Sequence, residues 1–390
     1  MHRHYFPSII GTLIHASVNR CSYDIRRRIH RRCIMKILIS YYIPSGGMET
    51  LNRLRAEALA TCGVACHLHY LRHGSGLQNR TGIPTYVSDN DSEIQQLLLS
   101  ERFDAVIVSH NYMALERIRR LGFQGPVLFE VQGLGQRHQA IQTLKEAMPY
   151  IRSYCNAIVY SRTSHLIELF QGMFSDIGQF CFPNLVDTGR FGYRALPVHP
   201  YPMIGWVGRL EMNKNWRFFL QIGHELRKIV PNLQMWMFED ATLSQPEEQA
   251  AFQTMIALLE IESHLHRVSN VPHQKMADYY SMIGDSGGFL ASTSILEGFG
   301  YAVAEALLCR CPVLSTDSDG VRNFIIQDQT GKFIPHNDID IAVKNAMEIM
   351  NNHILRGKIR DAGERHIKVN FSPEMYCGQF MEMMHSLGIY

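Results

Sequence analysis

The sequence predicts an α/β protein built from two doubly wound parallel sheets. Three observations favour this fold class: a length of 390 residues, a hydrophobic share of 46%, and β-rich apolar runs that alternate with helical patterns along the chain. A chain of this length exceeds one ordinary domain, and alternating strands and helices form parallel sheets with crossover helices. Because no apolar run reaches the ~18 residues of a membrane span, we expect a soluble protein.

Ten apolar segments are the candidate strands, five in each half of the chain. In the first half they are residues 37–42, 64–70, 104–109, 126–131 and 157–161, and in the second 203–207, 233–238, 266–269, 288–291 and 312–315. After the first strand, apolar residues at helical spacing (Leu51, Leu54, Ala58, Leu59) predict a helix that ends near Gly63.

A proline-rich stretch, residues 196–202, separates the two series of strands and predicts a linker. We therefore expect one Rossmann-like domain over residues 35–192, a linker over 193–202 and a second Rossmann-like domain over 203–372. Residues 373–390 are expected to form a C-terminal helix. Two such domains face each other across a central cleft.

Residues 1–34 differ in charge from the rest of the chain. They hold seven Arg and one acid, Asp24, which leaves 31 basic and 35 acidic residues and a charge of about −4 for the remainder. We expect this extension to be disordered and dispensable; a translation start upstream of the true one, a basic amphipathic anchor and a targeting peptide are the three explanations. The mildly acidic remainder is a poor partner for nucleic acid or for an anionic membrane.

The nine cysteines are scattered through the chain, and no second pair stands at zinc-site spacing from either close pair. We expect reduced structural thiols, which are typical of a cytoplasmic protein. The oligomeric state is left open.

Residues 294–305 carry the most informative motif of the chain. Glu297 and Glu305 lie on either side of a Gly-Phe-Gly turn, between a short apolar strand and the start of a helix. A helix N-terminus favours phosphate because its backbone N–H groups are unpaired and its dipole is positive there. Carboxylates accept hydrogen bonds from hydroxyl groups such as those of sugar or ribose. The motif therefore predicts a nucleotide-sugar site.

Five segments together resemble the retaining glycosyltransferases of the GT-B fold, most closely the large family 4. They are the Glu-x7-Glu motif of residues 297–305, Gly-Arg-Leu…Lys at 208–214, the stretch 183–191, the turns at 315–320 and 329–331, and Gly46-Gly47 near the first strand. The resemblance covers roughly residues 35–375. It implies that the first domain binds the acceptor, that the second binds the donor, and that the C-terminal helix returns to the first domain.

The catalytic residues that we predict are Arg209, Lys214, Glu297 and His110. Arg209 and Lys214 would neutralise the donor diphosphate, where charge develops as the sugar leaves. The resemblance implies that Glu297 contacts the ring hydroxyls of the donor sugar and that His110 lies near that sugar.

The donor-binding residues that we predict are Gly46, Gly47, Ser294, Gly298, Phe299, Gly300 and Glu305. Helical side chains lean toward the N-terminus, so Glu305 can reach a group at the mouth of its helix; the resemblance implies that this group is the ribose. The Gly-Phe-Gly turn would present backbone N–H groups to sugar or phosphate, and Ser294 would touch phosphate.

The chain departs from the family pattern at two places. The family turn written Gly-Gly-x-x-Glu is Asp319-Gly320-Val-Arg-Asn323 here, so no family role passes to Asn323. Gln132 stands where many relatives have a histidine, so we expect different acceptor contacts.

Three Asp-x-Asp tripeptides, at 89–91, 317–319 and 338–340, raise the possibility of a metal site. With Arg209 and Lys214 available to neutralise the diphosphate, a metal ion is redundant, so we expect no cofactor and no metal.

These observations predict retaining transfer of a hexosyl residue, glucosyl or N-acetylglucosaminyl, from a nucleoside diphosphate sugar to an acceptor hydroxyl, with a UDP-sugar favoured. Residues 45–55 faintly resemble enzymes of aminoglycoside antibiotic biosynthesis, which favours a small soluble acceptor such as an aminocyclitol. Alternatives are a cell-envelope polysaccharide or lipid glycosyltransferase, a nucleotide-sugar epimerase, and a non-catalytic sensor of sugar nucleotides.

Overall fold

The computed structural model describes residues 35–79, 82–189, 191–240 and 243–389. The expectations for residues 1–34 lie outside this part of the chain. Two parallel sheets organise the described residues, and all strand pairs in both sheets are parallel.

The first sheet has seven strands in the order β3-β2-β1-β4-β5-β6-β7. They are β1 (Met35–Tyr41), β2 (Val64–Tyr70), β3 (Thr85–Val87), β4 (Ala105–Ser109), β5 (Val127–Val131), β6 (Ala157–Tyr160) and β7 (Gly178–Cys181). The order reverses between β1 and β4, which is where an open α/β sheet places its ligand crevice.

The second sheet has six strands in the order β10-β9-β8-β11-β12-β13. They are β8 (Met203–Val207), β9 (Gln234–Glu239), β10 (Leu265–Ser269), β11 (Phe289–Ser292), β12 (Val313–Thr316) and β13 (Lys332–Ile334). The reversal here lies between β8 and β11, so each sheet offers one crevice at the carboxyl ends of its central strands.

Twelve α-helices connect or cover the strands in the described part of the chain. In the first half they are α1 (Gly46–Thr61), α2 (Asp91–Glu101), α3 (Met113–Arg120), α4 (Arg137–Tyr154) and α5 (Ser164–Met173). In the second half they are α6 (Trp216–Ile229), α7 (Pro246–Leu258), α8 (His273–Asp285), α9 (Tyr301–Leu308), α10 (Ile339–Asn351), α11 (His353–Asn370) and α12 (Pro373–Ser386). None of these helices is long and apolar enough to cross a membrane.

The sheets are covered by apolar residues on both faces, as expected for parallel sheets. The C-terminal helix α12 follows the second domain in sequence but packs into the core of the first. Its residues Tyr376, Phe380 and Met383 are buried together with Leu54 of α1 and Ile37 of β1. The last helix therefore ties the two halves of the chain together.

The ten predicted strands are all present, with ends shifted by at most two residues. Three further strands, β3, β7 and β13, were not predicted. Each has only three or four residues and lies at or next to a sheet edge. The predicted helix after β1 is also present; it ends at Thr61, and Gly63 follows with a positive φ of 85°.

Candidate active site

The predicted site residues lie where the two crevices face each other. Gly46 follows β1 and His110 follows β4 in the first sheet. Gly208 follows β8 and Ser294 follows β11 in the second sheet. These are the pairs of strands between which each sheet reverses its order, so the fold brings the separate motifs to one cleft.

Lys214 and Glu297 meet directly in this cleft. Lys214 Nζ lies 2.5 Å from Glu297 Oε1, and the Ser294 hydroxyl donates to the same oxygen at 2.6 Å. The side chains of Lys214 and Glu297 are 21% and 16% exposed, so solvent reaches them only in part. The predicted cation and the predicted sugar-binding carboxylate thus form one ion pair.

Asn213 joins the two loops that carry this pair. Its carbonyl accepts from the N–H of Ile295 at 2.8 Å, and its side-chain amide donates to the carbonyl of Leu296 at 3.0 Å. Asn213 directly precedes Lys214, so its two bonds to the loop of Glu297 help to set the spacing between Lys214 and Glu297 in addition to the ion pair.

Arg209 lies at the same edge but in a more open position. Its side chain is 49% exposed, and Nη2 lies 3.1 Å from Glu211 Oε1. Burial raises the pKa of Tyr41 in the first domain, and the nearby positive charge of Arg209 opposes that shift. Arg209 therefore lies at the cleft, close to the opposite domain, and its ion-pair partner is Glu211.

Glu305 is 6% exposed and is paired with His273, a residue that the sequence did not single out. His273 Nε2 lies 2.7 Å from Glu305 Oε1, and the ring of Phe191 stacks on the imidazole at a centroid distance of 5.0 Å. Burial alone would lower the pKa of His273, but the carboxylate of Glu305 outweighs it, so the pKa is raised.

This histidine also reaches the first domain. Arg53 Nη2 of α1 lies 3.4 Å from His273 Nδ1, and Arg53 Nε lies 3.0 Å from Glu49 Oε1. The environment of Glu305 is therefore completed by side chains of both domains, which no spacing within one motif could reveal.

The Gly-Phe-Gly turn packs tightly against the first domain. A Cβ on Gly298 would lie 2.0 Å from the carbonyl oxygen of Gln132, so only glycine fits there. The ring of Phe299 is buried among aromatic residues, at 4.8 Å from Phe324 and 4.8 Å from Tyr301. Phe299 thus anchors the turn by its buried side chain, which is packed in an aromatic cluster.

Two helix N-termini converge at the cleft. Gly46 opens α1 with a φ of 56°, and Gly300 is the N-cap of α9. A Cβ on Gly47 would lie 3.5 Å from Cδ2 of Tyr301, so the first turns of the two helices are neighbours. Unpaired N–H groups from both helices give this place a positive potential that suits an anion.

His110 is held in one neutral form. Its backbone has a φ of 65°, in the left-handed region, and burial lowers its pKa. The N–H of Gln132 donates to its Nε2 at 3.1 Å, so the proton of the neutral ring is on Nδ1. The side chain of Gln132 is itself bonded to Asn184 and Glu130.

The Asp-x-Asp tripeptides have other partners. Asp89 and Asp91 are paired with Arg117, and Asp317 is paired with Arg322. Asp338 caps α10 by accepting from the N–H of Ile341. No group of three or more His, Cys, Asp or Glu is arranged to hold a metal ion in the described ranges, and the seven cysteines described there are free thiols.

Comparisons with known proteins agree with this architecture. Residues 195–366 match the family described as Glycosyl transferases group 1. A sucrose-phosphate synthase from Thermosynechococcus elongatus is 16% identical with a TM-score of 0.72, covering 91% of this chain and 99% of that one. HepE of Anabaena, solved with UDP-glucose, is 14% identical with a TM-score of 0.77, covering 90% of this chain and all of that one.

The chain has the GT-B fold. The predicted fold class is confirmed, and the match to the family of group 1 glycosyl transferases covers the second half of this fold. A trehalose synthase of Pyrococcus horikoshii is 20% identical over 189 residues, which are 48% of this chain and 44% of that protein. A trehalose synthase of Thermococcus litoralis is 19% identical over 187 residues. The chain spans less than half the length of these curated relatives.

Proposed function

We propose that this protein is a retaining glycosyltransferase that moves a hexosyl residue from a nucleoside diphosphate sugar to an acceptor hydroxyl. The observation that carries the proposal is the contact of Lys214 with Glu297 at the mouth of the cleft. A cation suited to phosphate thus lies next to a carboxylate suited to sugar hydroxyls, three residues before Gly300, the N-cap of α9.

The second domain would bind the nucleoside diphosphate. Arg209 and Lys214 would hold the phosphate oxygens, Arg209 in bidentate fashion and Lys214 as a point charge. Negative charge grows on the oxygen that bridges sugar and phosphate as the bond breaks, so both cations act most strongly at that moment. Glu305, positioned by His273, would accept hydrogen bonds from the ribose hydroxyls.

The donor sugar would lie between Glu297 and His110. Glu297 would accept hydrogen bonds from ring hydroxyls, and the Nδ1–H of His110 would donate one. The bond between the anomeric carbon and the phosphate oxygen breaks while the acceptor oxygen bonds to the same face of that carbon. The acceptor proton passes to the leaving phosphate oxygen, so no protein carboxylate acts as nucleophile.

We further propose UDP as the nucleotide, glucose or N-acetylglucosamine as the sugar, a small soluble acceptor such as an aminocyclitol, and the cytoplasm as the place of action. HepE of Anabaena, a structural neighbour, was solved with UDP-glucose, which supports the choice of donor. We propose that no metal ion is needed, because Arg209 and Lys214 supply the positive charge at the diphosphate.

The test is a donor and acceptor screen. UDP-, GDP- and ADP-glucose and UDP-N-acetylglucosamine are incubated with the protein and with a panel of aminocyclitols, sugar phosphates and lipid acceptors. We expect release of the nucleoside diphosphate that depends on the acceptor, and a product with the anomeric configuration of the donor by NMR. Inverted products, or turnover of the donor to another sugar nucleotide without an acceptor, contradict the proposal.

A further inference from the structure

The turn after β12 has a strained backbone at Asp319. This residue has φ 65° and ψ −73°, and the N–H of Gly320 donates to the carbonyl of Ser318 at 2.9 Å across it. These angles and this bond define a γ-turn of the rare kind with positive φ, which is unfavourable for residues with a side chain. Some other contact must hold Asp319 in place.

That contact comes from the opposite domain. Asp319 Oδ2 lies 2.5 Å from His165 Nδ1, and the N–H of Ser164 donates to Oδ1 at 3.3 Å. Both donors belong to the first turn of α5, whose helix dipole also favours a carboxylate. The side chains of Asp319 and His165 are only 12% and 15% exposed. Nearby, the Asn323 amide donates to the carbonyl of Arg162 at 3.0 Å.

The other side of the turn is bonded to Glu297. The N–H of Glu297 donates to the carbonyl of Ser318 at 2.8 Å, and the N–H of Gly320 donates to the carbonyl of Glu297 at 3.1 Å. A Cβ on Gly320 would lie 2.7 Å from that carbonyl oxygen, so the two segments have no room to slide. The backbone position of Glu297 is therefore tied to the conformation of Asp319.

We propose that Asp319 and His165 are positioning residues that place Glu297 correctly only when the two domains are closed. This inference rests on the proposed function. Asp319 keeps its strained conformation through bonds to α5, and those bonds exist only while α5 is against the turn. Domain closure thus sets the position of the carboxylate that binds the donor sugar.

The electrostatics of the pair agree with this role. Burial would raise the pKa of Asp319, but the hydrogen bond and the charge of His165 outweigh it, so the pKa is lowered and the carboxylate is ionised. Arg322 lies 3.7 Å away on the same turn and supports the same charge state. An ionised Asp319 accepts from both Ser164 and His165.

The experiment compares D319A, H165A and H165N with the wild type. Alanine removes the carboxylate that bonds to α5 but keeps a Cβ, so the positive φ at residue 319 stays unfavourable while the bonds that held it are lost. We expect kcat of D319A and H165A to fall by about 5- to 150-fold, which corresponds to the usual size of a coupling between two sites. The dissociation constant of UDP, measured by calorimetry, should change less than about 3-fold, because Arg209, Lys214 and Glu305 are untouched. H165N keeps a donor near the position of Nδ1 and should restore most of kcat.

H224N is the matched control, since His224 bonds to the carbonyl of Leu259 inside the second domain, away from the contact between domains. The double variant D319A/H165A should be no worse than the more damaged single variant. Unchanged kcat in D319A, or additive losses in the double variant, would overturn the inference.

Domain closure can also be measured directly, without an assay of enzymatic activity. Fluorescent labels on the two domains report their separation, and D319A should shift it toward the open state in the presence of UDP. If the wild type transfers no sugar to any acceptor, the proposed function fails. The distance between the labels still tests whether the contact between Asp319 and His165 holds the domains closed. An unchanged distance in D319A would overturn the inference independently.

Discussion

Replacement of Lys214 by methionine tests the central contact of the site. The ammonium group lies 2.5 Å from Glu297 Oε1, and methionine keeps most of the side-chain length without the charge. Removing one preorganised donor from the position where transition-state charge develops costs about 10²- to 10³-fold in kcat, or about 2.7–4 kcal/mol. We expect K214M to lose activity within this range.

The same change has a predictable effect on stability. Breaking a fully buried ion pair costs about 3–5 kcal/mol, and an exposed pair contributes about 0–1 kcal/mol. Lys214 and Glu297 are about four-fifths buried, and Glu297 keeps its bond from Ser294. We therefore expect a loss of about 1–3 kcal/mol, intermediate between these limits. E297Q in the K214M background should recover part of it, because the unpaired charge is gone.

The assay is steady-state release of nucleoside diphosphate, with urea unfolding for stability. K228M is the matched control, because Lys228 makes a similar pair with Glu225 at 2.7 Å but is 57% exposed on α6. It should change neither activity nor stability measurably. The reasoning is refuted if K214M keeps kcat within about 3-fold of the wild type, or if K228M is equally impaired.

Three further predictions follow from charges and their burial. The raised pKa of His273 means that its pair with Glu305 stabilises the fold fully below pH 6.5, and that this stabilisation is lost as pH rises through the higher folded-state pKa. The thermal unfolding temperature of H273Q should lack this pH dependence, and a pH profile identical to that of the wild type would contradict the prediction. Glu130 and Arg55 form an ion pair with side chains 2% and 1% exposed, so E130Q should lose about 3–5 kcal/mol in urea unfolding; a loss under ~1 kcal/mol would show that the buried charge finds other partners. Chelation with EDTA should leave transfer activity unchanged, and activity restored only by added Mg²⁺ or Mn²⁺ would contradict the proposed role of Arg209.

The sequence was sufficient for the fold because parallel strands are buried on both faces and form continuous apolar runs. The strands that escaped prediction, β3, β7 and β13, lie at the edges of their sheets, and β3 and β7 contain no fully buried residue, so no continuous apolar run marks them. Within the site, Glu297 and Lys214 were predictable because their motifs follow apolar strands. The pairs between His165 and Asp319 and between Arg53 and His273 were not, because each joins residues of different domains, 154 and 220 positions apart. Asp319 had one visible signal, its departure from the glycine turn of the family.

The two cations predicted to bind phosphate, Arg209 and Lys214, already have carboxylate partners. These partners determine whether the cations contribute to the affinity for the donor or to the rate of transfer. A diphosphate between Arg209 and Lys214 competes with Glu211 and Glu297 for the same positive charge. In the ground state this exchange of one anion for another contributes little to the free energy of donor binding. As the bond between sugar and phosphate breaks, the negative charge on the leaving oxygen grows while the charge of the carboxylates stays fixed. The attraction of Lys214 to the phosphate therefore increases relative to its attraction to Glu297. Glu297 is then free to accept from the sugar hydroxyls. Interactions that strengthen only along the reaction raise kcat rather than affinity for the substrate, which is why K214M should affect kcat far more than the dissociation constant of the intact sugar nucleotide.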